Sequence, residues 1–205
     1  MVKPLEGFHG RGVRVLRREE IDPGTLMAEM AADPTFEGWI IQERLREHPA
    51  IAALSPGDAL QTLRVATFVE RSGEVAVLSA DLRLALAAGP TDNFSSGRSG
   101  NGLVAVGLDD GALGLLTLPR ADGCGFDRTP VVPGGGAQVE GVRLPLWPDA
   151  LALVREGALA MLPARTIGWD IAITEGGPVV VEANMYYWPR SGSEQGDAFD
   201  RIAGG

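Results

Sequence analysis

Residues 166–184 read TIGWDIAITEGGPVVVEAN, two alternating runs on either side of Glu-Gly-Gly. This pattern confines the stretch to an antiparallel hairpin, with glycines supplying the turn and β-branched residues the strands. Taking Glu175-Gly176-Gly177 as the turn puts Thr174 opposite Pro178, Ala172 opposite Val180 and Asp170 opposite Glu182. Asn184 lies two residues on, on the same face. That face otherwise holds Ala172 and Thr174. The other holds Trp169, Ile171, Ile173, Val179 and Val181, which suits packing against a helix at 148–162, with the valines of PVVV in a buried strand.

Two carboxylates opposed across a ladder repel unless something compensates. Two carboxylates and an amide oxygen are hard ligands of the kind Mg²⁺ or Mn²⁺ accepts. Two readings stay open. Asp170, Glu182 and Asn184 form a metal site, or Glu182 and Asn184 sit at a solvated strand end while Asp170 pairs with an arginine.

Upstream, MVKPLEGFHGRGVRVLR reads as a strand end, a glycine-bearing turn and a strand from Gly12 to Arg17. Asp22 and Pro23 supply an N-cap and a first helical residue for a helix ending near Pro34. GWIIQERL reads as a short buried strand entering a polar hinge, and QTLRVATFVE-RSG-EVAVLSADLRLALAA as a hairpin. A loop over 87–100 precedes strands NGLVAVGL and LLTLP; residues 120–146, rich in Gly and Pro, read as irregular. WPDALALVREGALAMLP has a helical stripe of Leu151, Val154, Ala158 and Met161. The order is α+β with antiparallel sheets and packed helices, not a βαβ alternation.

A chain of 205 residues with 45% hydrophobic side chains buries a real core, as one large domain or two lobes. Its net charge of −9 argues against a general nucleic-acid binder, which meets phosphates with Lys and Arg. Cys124 is the single cysteine, so neither an intramolecular disulfide nor a cysteine zinc site forms. No apolar run of membrane-spanning length occurs and the first residues do not resemble a signal peptide, so a cytoplasmic location is expected. The glycines at 7, 10 and 12 follow Lys3, a pattern that suits backbone amides closing on an anion beside a lysine charge. It suits an ordinary glycine-rich hairpin equally, and it is not a Walker A loop.

Taken in order, VKPLEGFHGRGV, WIIQERL, TLRVATF, FSSGRSGNG and GWDIAIT…GPVVVEAN resemble the blocks of the ATP-grasp superfamily. The nearest likeness is to its sugar-transfer-associated branch, and a more distant one to carboxylate–amine ligases of the D-alanine–D-alanine ligase type. The resemblance implies an ATP-grasp fold and ATP-dependent formation of an acyl-phosphate, which a nucleophile then attacks. It implies that Lys3 contacts the α- and β-phosphates and that Gly7, Gly10 and Gly12 close over the β- and γ-phosphates. Gln42, Glu43 and Leu45 would form the adenine hinge, with Glu47 near the ribose. Asp170, Glu182 and Asn184 would hold magnesium ions, with manganese as the substitute. Arg64, Arg83 and Arg98 are candidates for the γ-phosphate or an acidic substrate, Arg64 first among them; Arg83 could equally be a surface residue.

The expected lobes are residues 1–46, a partial small lobe, and 47–205, the large one. The fold is expected to be truncated at its N-terminus, because the family's preceding α/β domain has no counterpart before the Lys3 strand. Self-association or a partner chain supplying that part is expected. The expected partners are ATP and a small-molecule or sugar-linked carboxylate. The alternative to a ligase is a non-catalytic nucleotide-binding module.

Overall fold

The computed structural model describes residues 1–6, 11–134 and 136–185. A two-stranded antiparallel sheet joins β1 (Val2–Pro4) to β2 (Trp39–Ile41), with Lys3 opposite Ile40. Between them lies α1 (Pro23–Ala32), whose Asp22 side chain accepts hydrogen bonds from Thr25 N and Oγ1, both 2.8 Å. The strand expected over Gly12–Arg17 shrinks to one bridge, in which Val2 and Arg14 exchange backbone hydrogen bonds of 2.8 Å. β2 also departs from expectation, since Ile41 is 58% exposed on this narrow sheet.

After a single turn, α2 (Pro49–Ala52), the chain builds a seven-stranded antiparallel sheet. β3 (Leu63–Val69), β4 (Val75–Leu84), β5 (Gly102–Val106), β6 (Leu113–Pro119) and β7 (Phe126–Thr129) form a meander of neighbours. β7 lies inside the stretch read as irregular; its sequence, FDRT, is short and its first three residues are exposed, so no alternation betrays it. β8 (Thr166–Thr174) then pairs with β3, and β9 (Gly177–Asn184) pairs with β8 at the sheet edge.

The helix α3 (Trp147–Ala160) covers one face of this sheet, burying Trp147, Ala150, Val154 and Ala158. The buried stripe sits nearer the N-terminus of the helix than the expected one, and Met161 is largely exposed. Near its C-terminus the helix comes close to β8: a Cβ on Gly157 would stand 2.8 Å from the Trp169 ring, so helix and strand meet there with no side chain between them. Trp169, Ile171 and Ile173 are buried here, each contributing about 1.5–3 kcal/mol of apolar burial.

The terminal hairpin arrives at the expected pair by another route. Its turn has two residues, Glu175 and Gly176, and Thr174 faces Gly177; Ala172 therefore faces Val179, not Val180. A bulge between Asp170 and Ile171 on one side and Glu182 and Val180 on the other absorbs one residue of β9 and restores Asp170 opposite Glu182. Because β9 is an edge strand, Val179 and Val180 are more than one-third exposed rather than buried.

Candidate active site

A cleft of about 550 Å³ opens between the small sheet and the face of the large sheet, lined by residues from both ends of the chain. Lys3 and Arg11 come from the N-terminal segment, Arg64 from β3, Arg83 from β4, and Asp170, Glu182 and Asn184 from the terminal hairpin. Pro90–Asn93 of the 87–100 loop form a further wall. Four cationic side chains thus meet three carboxylates (Asp92, Asp170 and Glu182) in a chain of net charge −9, so the cleft is locally the place for an anion.

Antiparallel register brings the central residues together. Arg64 is opposite Asp170 across β3 and β8, and Arg64 is also opposite Asp81 across β3 and β4. Arg64 Nε and Nη2 donate to Asp170 Oδ1 and Oδ2 at 2.5 and 3.0 Å, a bidentate pair. Arg83 Nη1 donates to Asp170 Oδ2 at 3.2 Å, and its Nη2 lies 3.2 Å from Oδ1. Both Arg83 and Asp170 are buried. The second reading offered for Asp170, pairing with an arginine, therefore describes this arrangement, with two arginines instead of one.

Asp92 completes the cluster, and the sequence alone gave no reason to single it out. Its Oδ2 accepts hydrogen bonds from Thr62 N and Oγ1, both 2.6 Å, and its Oδ1 lies 3.9 Å from Arg83 Nη1. Burial pushes the Asp92 carboxyl above the usual carboxylate range; Arg83 and the Thr62 hydrogen bonds pull the other way, and the charge of Asp170 adds to the rise. Asn101 fixes the loop that carries Asp92. Its Oδ1 accepts from Leu86 N and Ala87 N at 3.0 Å, and its Nδ2 donates to the Thr91 and Asn93 carbonyls at 3.1 Å. The only trace of this in the sequence is an asparagine closing a Ser- and Gly-rich loop.

The remaining candidates fall elsewhere. Arg98 is exposed after the single 3-10 turn Ser95–Gly97 and does not line the cleft. Gly7 and Gly10 lie outside the described residues. Gly12 has φ +78°, and a Cβ there would stand 2.8 Å from Phe36, so local packing already requires glycine. Gln42 exchanges backbone hydrogen bonds with Met1, at 2.9 and 2.8 Å, so both its main-chain groups are engaged. Glu43, exposed, and Leu45, half-buried, do not line the cleft. Nor does Glu47, whose carboxylate accepts from the buried Gln61 amide at 3.4 Å.

The donor set fits a divalent cation that arrives with other ligands. Among the described residues no group of three or more His, Cys, Asp or Glu side chains gathers as a ready-made metal cage. Mg²⁺ needs only one or two carboxylates and completes its shell with water and phosphate oxygens. Glu182 is exposed opposite Asp170, and Asn184 Nδ2 is buried without a hydrogen-bond partner among the described residues, an amide end that a phosphate oxygen would satisfy.

Against this geometry, the chain matches the sugar-transfer associated ATP-grasp family over residues 1–193. The protein belongs to that family. Membership makes it an ATP-grasp protein of ligase type associated with sugar transfer. No curated protein matches the chain, and no solved structure does. The mixture of helices and antiparallel sheets agrees with the expected α+β class. Among the described residues, no helix of this ATP-grasp protein is long and apolar enough to cross a membrane.

Proposed function

We propose that this ATP-grasp protein binds ATP with Mg²⁺ or Mn²⁺ in the cleft and uses it to activate a carboxylate, in a pathway of sugar transfer or polysaccharide assembly. One observation carries the reading: a single cleft unites Lys3 and Arg64 with Asp170, Glu182 and Asn184, a cationic set beside a hard-ligand set. Lys3 neutralises the α- and β-phosphates, and backbone amides at Gly7, Gly10 and Gly12 close over the chain of phosphates. The adenine and ribose extend past the rim of the cleft toward Gln42, Glu43, Leu45 and Glu47, which do not line it. Asp170, Glu182 and Asn184 hold the cation, which neutralises phosphate charge when bound.

Phosphoryl transfer asks little covalent help of a protein; positioning and charge neutralisation do most of the work. A substrate carboxylate oxygen attacks the γ-phosphorus, the bond to the bridging oxygen breaks, and ADP leaves. An amine or other nucleophile then attacks the acyl carbon of the acyl-phosphate, inorganic phosphate leaves, and the nucleophile's proton passes to solvent. Arg64, at the mouth of the arginine pair, meets the transferred group; Arg83 lies deeper.

A second reading, nucleotide binding without turnover, draws on the engagement of Asp170 by both arginines, which leaves the cleft neutralised from within. Calorimetry with ATP, with and without Mg²⁺, on the parent protein and Glu182→Ala tests the first step. Affinity that needs Mg²⁺ and drops in the variant supports the site; equal affinity in every case sinks it. ADP release over a panel of carboxylates and amines separates ligase from binding module.

A further inference from the structure

The arginine pair in the cleft is filled by the protein itself. Four guanidinium nitrogens, Nε and Nη2 of Arg64 and Nη1 and Nη2 of Arg83, lie within 3.2 Å of the Asp170 carboxylate. Two converging guanidinium forks are what a protein offers to a planar or phosphate anion, and here an internal carboxylate takes that place. The two arginines differ in what they would keep if Asp170 moved. Arg83 retains Asp92 at 3.9 Å and the Thr62 hydroxyl at 3.4 Å. Arg64 is the more accessible of the two, with a side chain 24% exposed against 10% for Arg83, and its bidentate partner is Asp170. Glu182 waits directly across the ladder from Asp170 without an ion pair of its own among the described residues.

Resting on the Mg-ATP reading above, we propose that Asp170 is an internal plug of a two-arginine anion site, displaced only when a divalent cation and a polyphosphate enter together. The cation gives Asp170 a new partner beside Glu182. Asp92 and Thr62 hold Arg83 in place meanwhile, and Arg64 turns to the polyphosphate. Free cation meets a carboxylate already neutralised, and free polyphosphate meets guanidinium groups already occupied, so each alone binds weakly. Asp92 acts here as a positioning residue that assigns the anion to Arg64.

The test uses inorganic tripolyphosphate as the anion, in excess EDTA, with the parent protein, Asp170→Asn and Glu182→Gln. Each variant removes one negative charge from the cleft, but only Asp170 touches the arginines. Asp170→Asn should raise metal-free tripolyphosphate affinity by about tenfold, the scale of a typical coupling between sites, and Glu182→Gln by no more than about twofold. Equal gains in both, or no gain in Asp170→Asn, would overturn the plug. Circular dichroism checks that the variants fold. Should Asp170→Asn fail to fold, Mn²⁺ titration of the parent protein by electron paramagnetic resonance decides. Mn²⁺ should bind at least about tenfold more tightly with tripolyphosphate present, after correction for the metal–polyphosphate equilibrium in solution. Equal Mn²⁺ affinity with and without the anion would refute the proposal. ATP binding measured in parallel keeps the two ideas apart, because its absence with the tripolyphosphate results intact would remove the nucleotide reading alone.

Discussion

Replacing Asn101, which does not itself line the cleft, by alanine should loosen one of its walls. The side chain is buried and makes four hydrogen bonds, two accepted from the backbone of Leu86 and Ala87 just after β4 and two donated to the loop that carries Asp92. Each is worth about 0.5–1.5 kcal/mol net, so their loss costs roughly 2–6 kcal/mol. Their main-chain partners are only partly buried, and water replaces some of the lost bonds; about 2–4 kcal/mol is the expected fall in stability. Urea denaturation measures that fall. Hydrogen exchange reads its location: the Leu86 and Ala87 amides should lose protection first. The Thr62 amide, which donates to Asp92, should follow as the wall moves. A fall below about 1 kcal/mol, or Thr62 protection unchanged beside exposed Leu86 and Ala87, would refute the claim that Asn101 holds Asp92 in place.

Three other substitutions probe the frame. Gly157→Ala gains about 1 kcal/mol of helix propensity but drives a methyl to 2.8 Å from Trp169, so a net loss of about 1 kcal/mol is expected in thermal unfolding; a gain would contradict the close approach of α3 and β8. Trp169→Phe removes the 2.8 Å hydrogen bond from Nε1 to Thr67 Oγ1 and some buried volume, with an expected loss of about 2–3 kcal/mol by urea denaturation. Asp22→Ala bears on pH. The Thr25 hydrogen bonds hold the Asp22 carboxyl below its usual range, so its stabilisation is present above the unfolded-state pKa and lost as pH falls through the lower folded-state value. The variant should therefore be less stable than the parent at neutral pH, with the two unfolding curves converging below about pH 3.

Sequence pattern reached furthest where one periodicity governed a long segment. The β3–β4 hairpin and the Asp22-capped helix follow from alternation and capping, and family blocks in order pointed to the family. Register was legible only in outcome: counting from a three-residue turn and an unbroken ladder gives Asp170 opposite Glu182, and so does the two-residue turn with a bulge that the chain adopts. A bulge leaves no mark in a run of valines, because every residue of the run suits a strand equally well. Asp92 was invisible for a different reason. Its importance comes from Thr62 and Arg83, 30 and 9 positions away, and nothing in TDNFSSGRSG announces a buried carboxyl. Arg98 shows the converse, since a block that resembles the family's still leaves its arginine on the surface.

The strand order has a consequence for how the protein is made. The β3–β7 meander is a succession of local hairpins that can pair as soon as each emerges from the ribosome. The β8–β9 hairpin comes last and must return to β3, closing a contact between residues 106 positions apart. Until it docks, β3 is an open edge, and Arg64 and Arg83 stand beside it without the carboxylate that later neutralises them. The nascent chain thus carries a cationic strand edge from the emergence of β3 until β8 follows, a feature that discourages edge-to-edge association while those strands are awaited.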